Sequence, residues 1–382
     1  MHILVDGRHL SRAHLSGVGE YTVQLLGALF HIDHHNDYTL LTSGSREPDL
    51  QSMIASDRFK HVHVRIPNKL LNARMSLLEH PTLNWHVKTP VDLLFLPNLN
   101  IAPLPTDIPT VMTVHDLSWQ LFPEFYSKRM LAWHKACRPE KLMHQAAALI
   151  TPSQATKQDV LRATGRNAEE IYVIPHGVDT LFSPRMEARD HGVRSRLALP
   201  KRFVLFVGTL EPRKNLLALI DGIERYRANT RDDLHLVLVG AWGWKSRELK
   251  KKLWKRETKR WVHHRGYVDK KDLPAVYRSA QALTWPSIYE GFGLPVLEAM
   301  ASGTPVITSH TSSLPELTGP AAIHVDPYNS EDIRSALEQL MGSNTLREQL
   351  SRDGVEHSKT FNWSQAAKQT LDCFEQRINQ AL

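Results

Sequence analysis

Two cysteines, Cys137 and Cys373, are all that the 382-residue chain contains, with no Cys-x-x-Cys pair and no Cys/His cluster at zinc spacing. A disulfide framework and a structural zinc site are therefore not expected. No apolar run approaches the ~20 residues needed to cross a bilayer, and those at Leu93–Leu96 and Phe203–Val207 are of strand length. The start, Met1-His2-Ile3-Leu4-Val5-Asp6, lacks the basic region, longer apolar core and small-residue cleavage site of a signal peptide. A cytoplasmic protein is expected. Internal repeats of 20–50 residues and low-complexity tracts are missing as well, which excludes solenoids and propellers.

What is present is the composition of a folded chain. Hydrophobic residues make up 42% and charged residues 23%, enough apolar material for substantial cores. At roughly 150 residues per domain the length predicts two domains of ordinary size. Lys and Arg number 47 against 40 Asp and Glu, a net charge of +7 that favours anionic partners. Charge alone does not choose among nucleic acid, an acidic membrane surface and a phosphorylated substrate.

Along the chain, short apolar runs alternate with stretches of helical periodicity. Residues 3–6 form a run ending at Gly7, and Tyr21, Leu25, Leu26 and Leu29 follow at helical spacing. Further runs lie at 38–41, 61–66, 93–96, 110–114, 148–150 and 172–174. The pattern lapses between about 179 and 202, a candidate linker. It then restarts with runs at 203–207, 234–239, 261–264, 282–285, 305–308 and 322–325. Apolar strands alternating with helices predict two α/β domains in tandem, each with a mostly parallel sheet. The tail carries Ala366, Ala367, Leu371, Phe374 and Ile378 at helical spacing, which predicts a final amphipathic helix over 363–382. Domain limits of 1–185, 186–362 and 363–382 follow.

Four segments can carry chemistry. Ser16-Gly17-Val18-Gly19-Glu20-Tyr21 precedes the first helix, where glycines admit a phosphate near free helix amides; a plain turn and helix cap is the alternative. His115-Asp116 follows the run at 110–114, near a strand's carboxyl end, where open α/β sheets place ligands; the alternative is an ordinary loop histidine. Glu211-Pro212-Arg213-Lys214-Asn215 follows the first strand of the second half. Cations at a helix's positive end are disfavoured by about 0.3–1 kcal/mol each, so they imply an anion or a solvated surface. The most informative segment is Ser287-Ile288-Tyr289-Glu290-Gly291-Phe292-Gly293-Leu294-Pro295-Val296-Leu297-Glu298, a glycine-rich loop running into a short apolar helix. Glu298, among apolar neighbours, calls for a hydroxyl or a cation to bind; a buried salt bridge or a solvent-facing turn is the alternative. Asp-x-Asp, His-Glu-x-x-His, the P-loop and the Gly-x-Ser-x-Gly elbow are all missing, which weighs against metal-bridged, zinc, ATP-cleaving and serine-hydrolase chemistry.

In order and spacing these segments resemble retaining glycosyltransferases of family 4, with the GT-B fold of two Rossmann-like domains, parallel sheets facing across a cleft and a last helix returning to the first domain. Pro175-His176-Gly177-Val178-Asp179 and the Glu-x7-Glu element from Glu290 to Glu298 belong to the same pattern, which extends over nearly the whole chain. The resemblance implies that Glu298 accepts hydrogen bonds from the ribose of a sugar nucleotide. Arg213 and Lys214 would hold the diphosphate, Glu290 the donor sugar, and the amides of Phe292, Gly293 and Leu294 sugar hydroxyls and phosphate. Gly17 and Gly19 would approach the diphosphate, His115 the sugar's 6-hydroxyl, and Tyr267 and Val268 the nucleobase. Catalysis would rest on Glu290, Arg213, Lys214 and His115, with no metal and no cofactor. Thr209 stands where many members have Arg, and His176 where Asn is common, the latter expected to be without functional consequence in a domain-linking segment.

Within the family the chain most resembles bacterial GDP-mannose-dependent mannosyltransferases of O-antigen synthesis. Its partners would then be a nucleotide-sugar donor and a glycan or lipid-linked glycan acceptor. UDP-glucose and dTDP-rhamnose stay open as donors, and a sugar-nucleotide epimerase on the same fold stays open as an activity. Lys250-Lys251-Lys252-Leu253-Trp254-Lys255-Arg256 interleaves cations with an aromatic, the pattern of a nucleic-acid binder, but reads better as a solvated helix face, and no nucleic acid is expected. Residues 127–144 read as one basic amphipathic helix able to rest on an anionic membrane, or as an ordinary packed surface helix.

Overall fold

Covered on both faces by the helices that connect them, the apolar runs pair into two all-parallel sheets in the computed structural model, which describes residues 1–11, 15–54 and 56–379. The first sheet contains β1 (His2–Asp6), β2 (Asp37–Ser43), β3 (Lys60–Val64), β4 (Leu93–Leu96), β5 (Thr110–Thr113), β6 (Ala148–Thr151) and β7 (Ile171–Val173) in the order β3-β2-β1-β4-β5-β6-β7. The second contains β8 (Phe203–Val207), β9 (His235–Val239), β10 (Val262–Gly266), β11 (Ala282–Trp285), β12 (Val306–Ser309) and β13 (Ile323–Val325) in the order β10-β9-β8-β11-β12-β13. Each run read from the sequence is one of these strands, shifted by a residue or two at most of their ends. In both sheets the strand order reverses beside the first strand, between β1 and β4 and between β8 and β11. Those reversals open the crevices where doubly wound sheets bind ligands.

The chain separates into two units. The first draws on Met1–Leu117, Lys128–Gly177 and the chain from Asn362 onward, the second on Ser118–Ser127 and Val178–Phe361. The first boundary thus lies eight residues before the expected 185. Phe182, Val193 and Leu199 pack in the second unit's core, and the Val178 amide donates to the Phe361 carbonyl at 3.1 Å. The expected linker over 179–202 contains a helix, Asp190–Arg196. Arg278 fastens it by donating to both oxygens of Asp190 at 2.7 and 2.8 Å, with both side chains 3% exposed. A run of charges conceals this helix from any periodicity argument.

The single helix expected over 127–144 is two, Lys128–Cys137 and Pro139–Gln145, broken at Arg138 with φ 49°. Proline disfavours helical backbone in the residue before it and is itself well suited to a helix's first position. Leu142 and Met143, two apolar residues of that stretch, are buried.

The final helix runs from Trp363 to Asn379 and belongs to the first unit, lying along the Gly17–Ile32 helix. Asn362 caps it, its Oδ1 accepting from the Gln365 amide at 2.8 Å. Ala366, Ala367, Cys373 and Phe374 are buried, and the Phe374 ring meets Phe95 of β4 edge-on at 5.1 Å. The helix's approach depends on Gly177. A Cβ there would lie 2.3 Å from the Trp363 amide nitrogen, and backbone cannot yield. Gly177→Ala is expected to destabilise the fold by about 1–3 kcal/mol or more, read as a fall in thermal midpoint. Gly17→Ala serves as the control with an unchanged midpoint, because a Cβ at Gly17 meets nothing within 4 Å among the described residues.

Candidate functional site

At the second sheet's reversal, β8 and β11 each run into a loop rich in chemistry. After β8 the chain makes a single tight turn over Pro212–Lys214, and Asn215, in left-handed backbone with φ 58°, redirects it into the Leu216–Thr230 helix. After β11 the loop 286–293 ends at Gly293, whose φ of 116° an L side chain rarely adopts and from which the Leu294–Ala301 helix starts. At such a start the first amides have no partner inside the helix, which suits Gly293 and Leu294 to anionic or hydroxyl oxygens. The loop is held from beneath by residues that follow β12. Ser312 Oγ accepts from the Glu290 amide at 2.9 Å, and Ser313 Oγ reaches the carbonyls of Glu290 and Phe292, both at 2.9 Å.

The two loops meet through charge. Lys214 Nζ donates to Glu290 Oε1 at 2.5 Å, and Arg213 Nη1 donates to Glu290 Oε2 at 2.9 Å and to the Tyr289 carbonyl at 2.6 Å. Arg213 Nη2 donates to Glu211 Oε1 at 2.9 Å. Trp285, the last residue of β11, gives its indole N–H to Glu290 Oε1 at 3.1 Å and lies under the Lys214 ammonium, 4.6 Å from the ring centre. Glu211, Lys214 and Glu290 are buried. Burial pushes the Glu290 carboxyl up, but the Lys214 and Arg213 charges beside it prevail and bring it to about 2. Burial raises Glu211 above the ordinary carboxylate value against the pull of Arg213 and Lys214. Lys214 is lowered by burial and by the neighbouring guanidinium. The cations expected to face an anion are thus already neutralised by carboxylates. An ammonium carries three N–H donors, of which Glu290 takes one, so an arriving anion can share Lys214 rather than displace the carboxylate.

Glu298, half-buried on the Leu294–Ala301 helix, accepts from Tyr277 Oη at 2.7 Å. This is the hydroxyl its apolar surroundings called for. Burial and the nearby Glu298 charge hold the Tyr277 phenol well above its ordinary value, so it stays a donor. Beyond β10, Tyr267 is exposed while the Val268 side chain is buried in the second core.

In the first unit, Gly17 and Gly19 lie inside the first helical turn rather than before it, because Ser16 caps the helix by accepting from the Gly19 amide at 3.4 Å. His115, just past β5, has Nε2 2.9 Å from the Pro97 carbonyl. A carbonyl only accepts, so Nε2 carries the proton, and burial lowers the ring's pKa. The neutral ring therefore presents Nδ1 as an acceptor, able to take a hydrogen bond from a hydroxyl. Its edge meets Tyr21 at 4.7 Å, and His176 packs between Tyr21 at 4.6 Å and Trp363 at 5.8 Å. His176 is thus a buried member of an aromatic cluster around His115.

Glu211, Trp285 and Tyr277 were not singled out as site residues. Glu211 stands within the recognised motif and Trp285 ends a recognised strand. Tyr277 had only the demand of Glu298 to point to it. Because the folded pKa of Glu290 is about 2 and its ordinary value 4.5, its stabilisation is complete above about pH 4.5 and is lost as the pH falls toward 2. Glu290→Gln leaves buried cations uncompensated and is expected to cost about 3–5 kcal/mol at neutral pH. Denaturant titrations should show its deficit relative to the wild type narrowing between pH 4.5 and 2; a constant deficit would contradict the ion-pair reading.

Comparison with known proteins gives the family. Residues 15–181 match the family described as "Glycosyltransferase Family 4" and residues 191–357 that described as "Glycosyl transferases group 1". The chain is 31% identical to "O-antigen chain mannosyltransferase B" of Escherichia coli over 266 residues, 69% of this chain and 70% of that one. It is 25% identical to "Serotype-specific mannosyltransferase WbdA" of E. coli, over 98% of this chain but only 48% of the relative, so it spans about half of WbdA's length. Among solved structures, sucrose-phosphate synthase from Thermosynechococcus elongatus superposes with a TM-score of 0.79 at 22% identity, covering 98% of both chains. That likeness concerns the fold, two Rossmann-like domains of the GT-B kind. With both families matched and a mannosyltransferase relative aligned over two thirds of each chain, the protein belongs to the glycosyltransferases that join a family 4 domain to a group 1 domain.

Proposed function

We propose that the protein transfers mannose from GDP-mannose, with retention at the anomeric carbon, to a glycan or lipid-linked glycan of a surface polysaccharide. The observation that carries this reading is the Arg213–Glu290–Lys214 cluster at the β8/β11 reversal, with Glu298 on the helix that follows. Mannose and the O-antigen setting are suggested by the names of the relatives.

In this reading Glu298, oriented by Tyr277, accepts from the ribose hydroxyls. Arg213 and Lys214 hold the diphosphate and stabilise the charge that grows as it leaves. Glu290 and the amides of Phe292, Gly293 and Leu294 position the sugar. The bond between the anomeric carbon and the diphosphate oxygen breaks with its electron pair passing to the diphosphate. The acceptor oxygen bonds the same face of the oxocarbenium-like sugar, and its proton passes to a leaving phosphate oxygen. A double displacement needs a carboxylate ready to attack. Glu290 is a poor nucleophile, held at about 2 between two cations and an indole N–H. In this reading no metal takes part, and what meets the leaving diphosphate is the N–H donors of Arg213 and Lys214, held in place by Glu290. The protein works in the cytoplasm, peripherally on the inner face of the membrane. Among the described residues no helix is long and apolar enough to cross a membrane.

A panel of GDP-mannose, UDP-glucose and dTDP-rhamnose, each with and without acceptor, tests the reading. GDP-mannose is expected to give an α-linked product, unaffected by EDTA. Activity with another donor beside none with GDP-mannose overturns the donor, and product without acceptor indicates epimerisation. Lys214→Ala and Glu298→Ala should each lower transfer at subsaturating donor by about 10–100-fold, the worth of a hydrogen bond to a charged group. Wild-type rates in either variant would remove that residue from the site.

A further inference from the structure

The Arg247–Leu253 helix follows β9 in the second unit, and its Leu249 and Leu253 are buried in that unit's core. Arg247, Lys250, Lys251 and Trp254 stand at i, i+3, i+4 and i+7, so they share a different face. Together with Lys245, Ser246 and Lys255 they line one hollow of about 720 Å³. Five of these seven residues are cations and none is an acid. Over the whole stretch 245–260 nine lysines and arginines face Glu248 and Glu257 alone, and neither glutamate lines the hollow. The next acids along the chain are Asp233 and Asp269.

Charge in the hollow is not spent within the protein. Lys252, which lies outside it, pairs with Glu224 at 2.5 Å. Lys245 donates to the Glu124 carbonyl at 2.5 Å, and the Lys250 ammonium lies 4.9 Å from the centre of the Trp242 ring. Both contacts place an ammonium without neutralising it. Arg247, Lys251 and Lys255 make no hydrogen bond or ion pair among the described residues, and Arg247 and Lys251 repel each other one helical turn apart. Trp254 is 70% exposed, and no ring of the described residues packs on it. Its occupant must therefore bring several negative charges and a flat ring for the open indole face. The volume is that of a small-molecule site, roughly 300–1,000 Å³. A bilayer would ask for several apolar side chains, and Trp254 alone supplies one here. A nucleoside phosphate joins both demands in one small molecule.

We propose that this hollow binds a nucleoside di- or triphosphate, its base stacked on Trp254 and its phosphates on Arg247, Lys251 and Lys255. None of the Arg213–Glu290–Lys214 cluster takes part, so this is a second nucleotide site and goes beyond the donor reading above. The stretch expected to be only a solvated helix face thereby gains a ligand, and a small one rather than a nucleic acid.

Calorimetric titration of the full chain with GDP, the leaving group of the proposed transfer, tests it. Two molecules are expected to bind each chain, one of them released as salt rises. Trp254→Ala should weaken that one by about tenfold or more and leave the other unchanged, and Trp254→Phe should restore it. Lys251→Glu/Lys255→Glu should weaken it by about tenfold or more as well. Melting temperatures should stay at the wild-type value, because these side chains are exposed. Glu298→Ala should weaken only the other molecule. A single GDP lost in Glu298→Ala but kept in Trp254→Ala overturns the proposal and leaves the donor reading standing. A single GDP lost in Trp254→Ala alone upholds the proposal and counts against the donor reading. Pyrophosphate bound at this hollow as tightly as GDP removes the stacking and overturns it. A short oligothymidylate bound there far more tightly than GDP makes the occupant a single-stranded nucleic acid, and the proposal falls.

Discussion

Everything placed at the second sheet's crevice hangs on one buried carboxylate. Glu290 brings together a loop after β8 and a loop after β11, segments more than seventy residues apart, by accepting from Lys214, Arg213 and Trp285 at once. Charges so far from water are tolerable only in company, and each of these four groups would be costly without the others. The cluster thereby fixes where the cations stand before any ligand comes. An enzyme that stabilises a leaving diphosphate benefits from donors that need no reorganisation at the moment of reaction, and mutual neutralisation is one way to keep such donors buried and still.

The architecture was largely legible in the sequence because parallel strands covered on both faces must be apolar throughout. Leu93–Leu96 and Phe203–Val207 are apolar at every position, and their alternation with helices dictates the sheet type. Segments whose stability comes from a distant partner were not legible. The Asp190–Arg196 helix is secured by Arg278, and nothing within the charge run announces it. The division at Arg138 had a visible cause in Pro139, yet the amphipathic spacing on either side was regular enough to obscure it.

The same limit governs the candidate site. Arg213, Lys214, Glu290 and Glu298 were found because their motifs are compact and their residue types suit a diphosphate and a ribose. That the cations spend their charge on Glu290 and Glu211 is a fact of three dimensions, as is the support Tyr277 gives Glu298. His176 shows the converse. In sequence it is one substitution in a connecting segment, whereas in space it is wedged among Tyr21, His115 and Trp363.

The return of the last helix to the first unit has a consequence for biosynthesis. The first unit's core needs Ala366, Ala367, Cys373 and Phe374, and these are translated only after the whole of Val178–Phe361. At about 5–20 residues per second the wait is on the order of 10–40 s. During that interval the groove that will receive Phe374 beside Phe95 stays open to water. The second unit's core, by contrast, is drawn from residues made before the last helix begins.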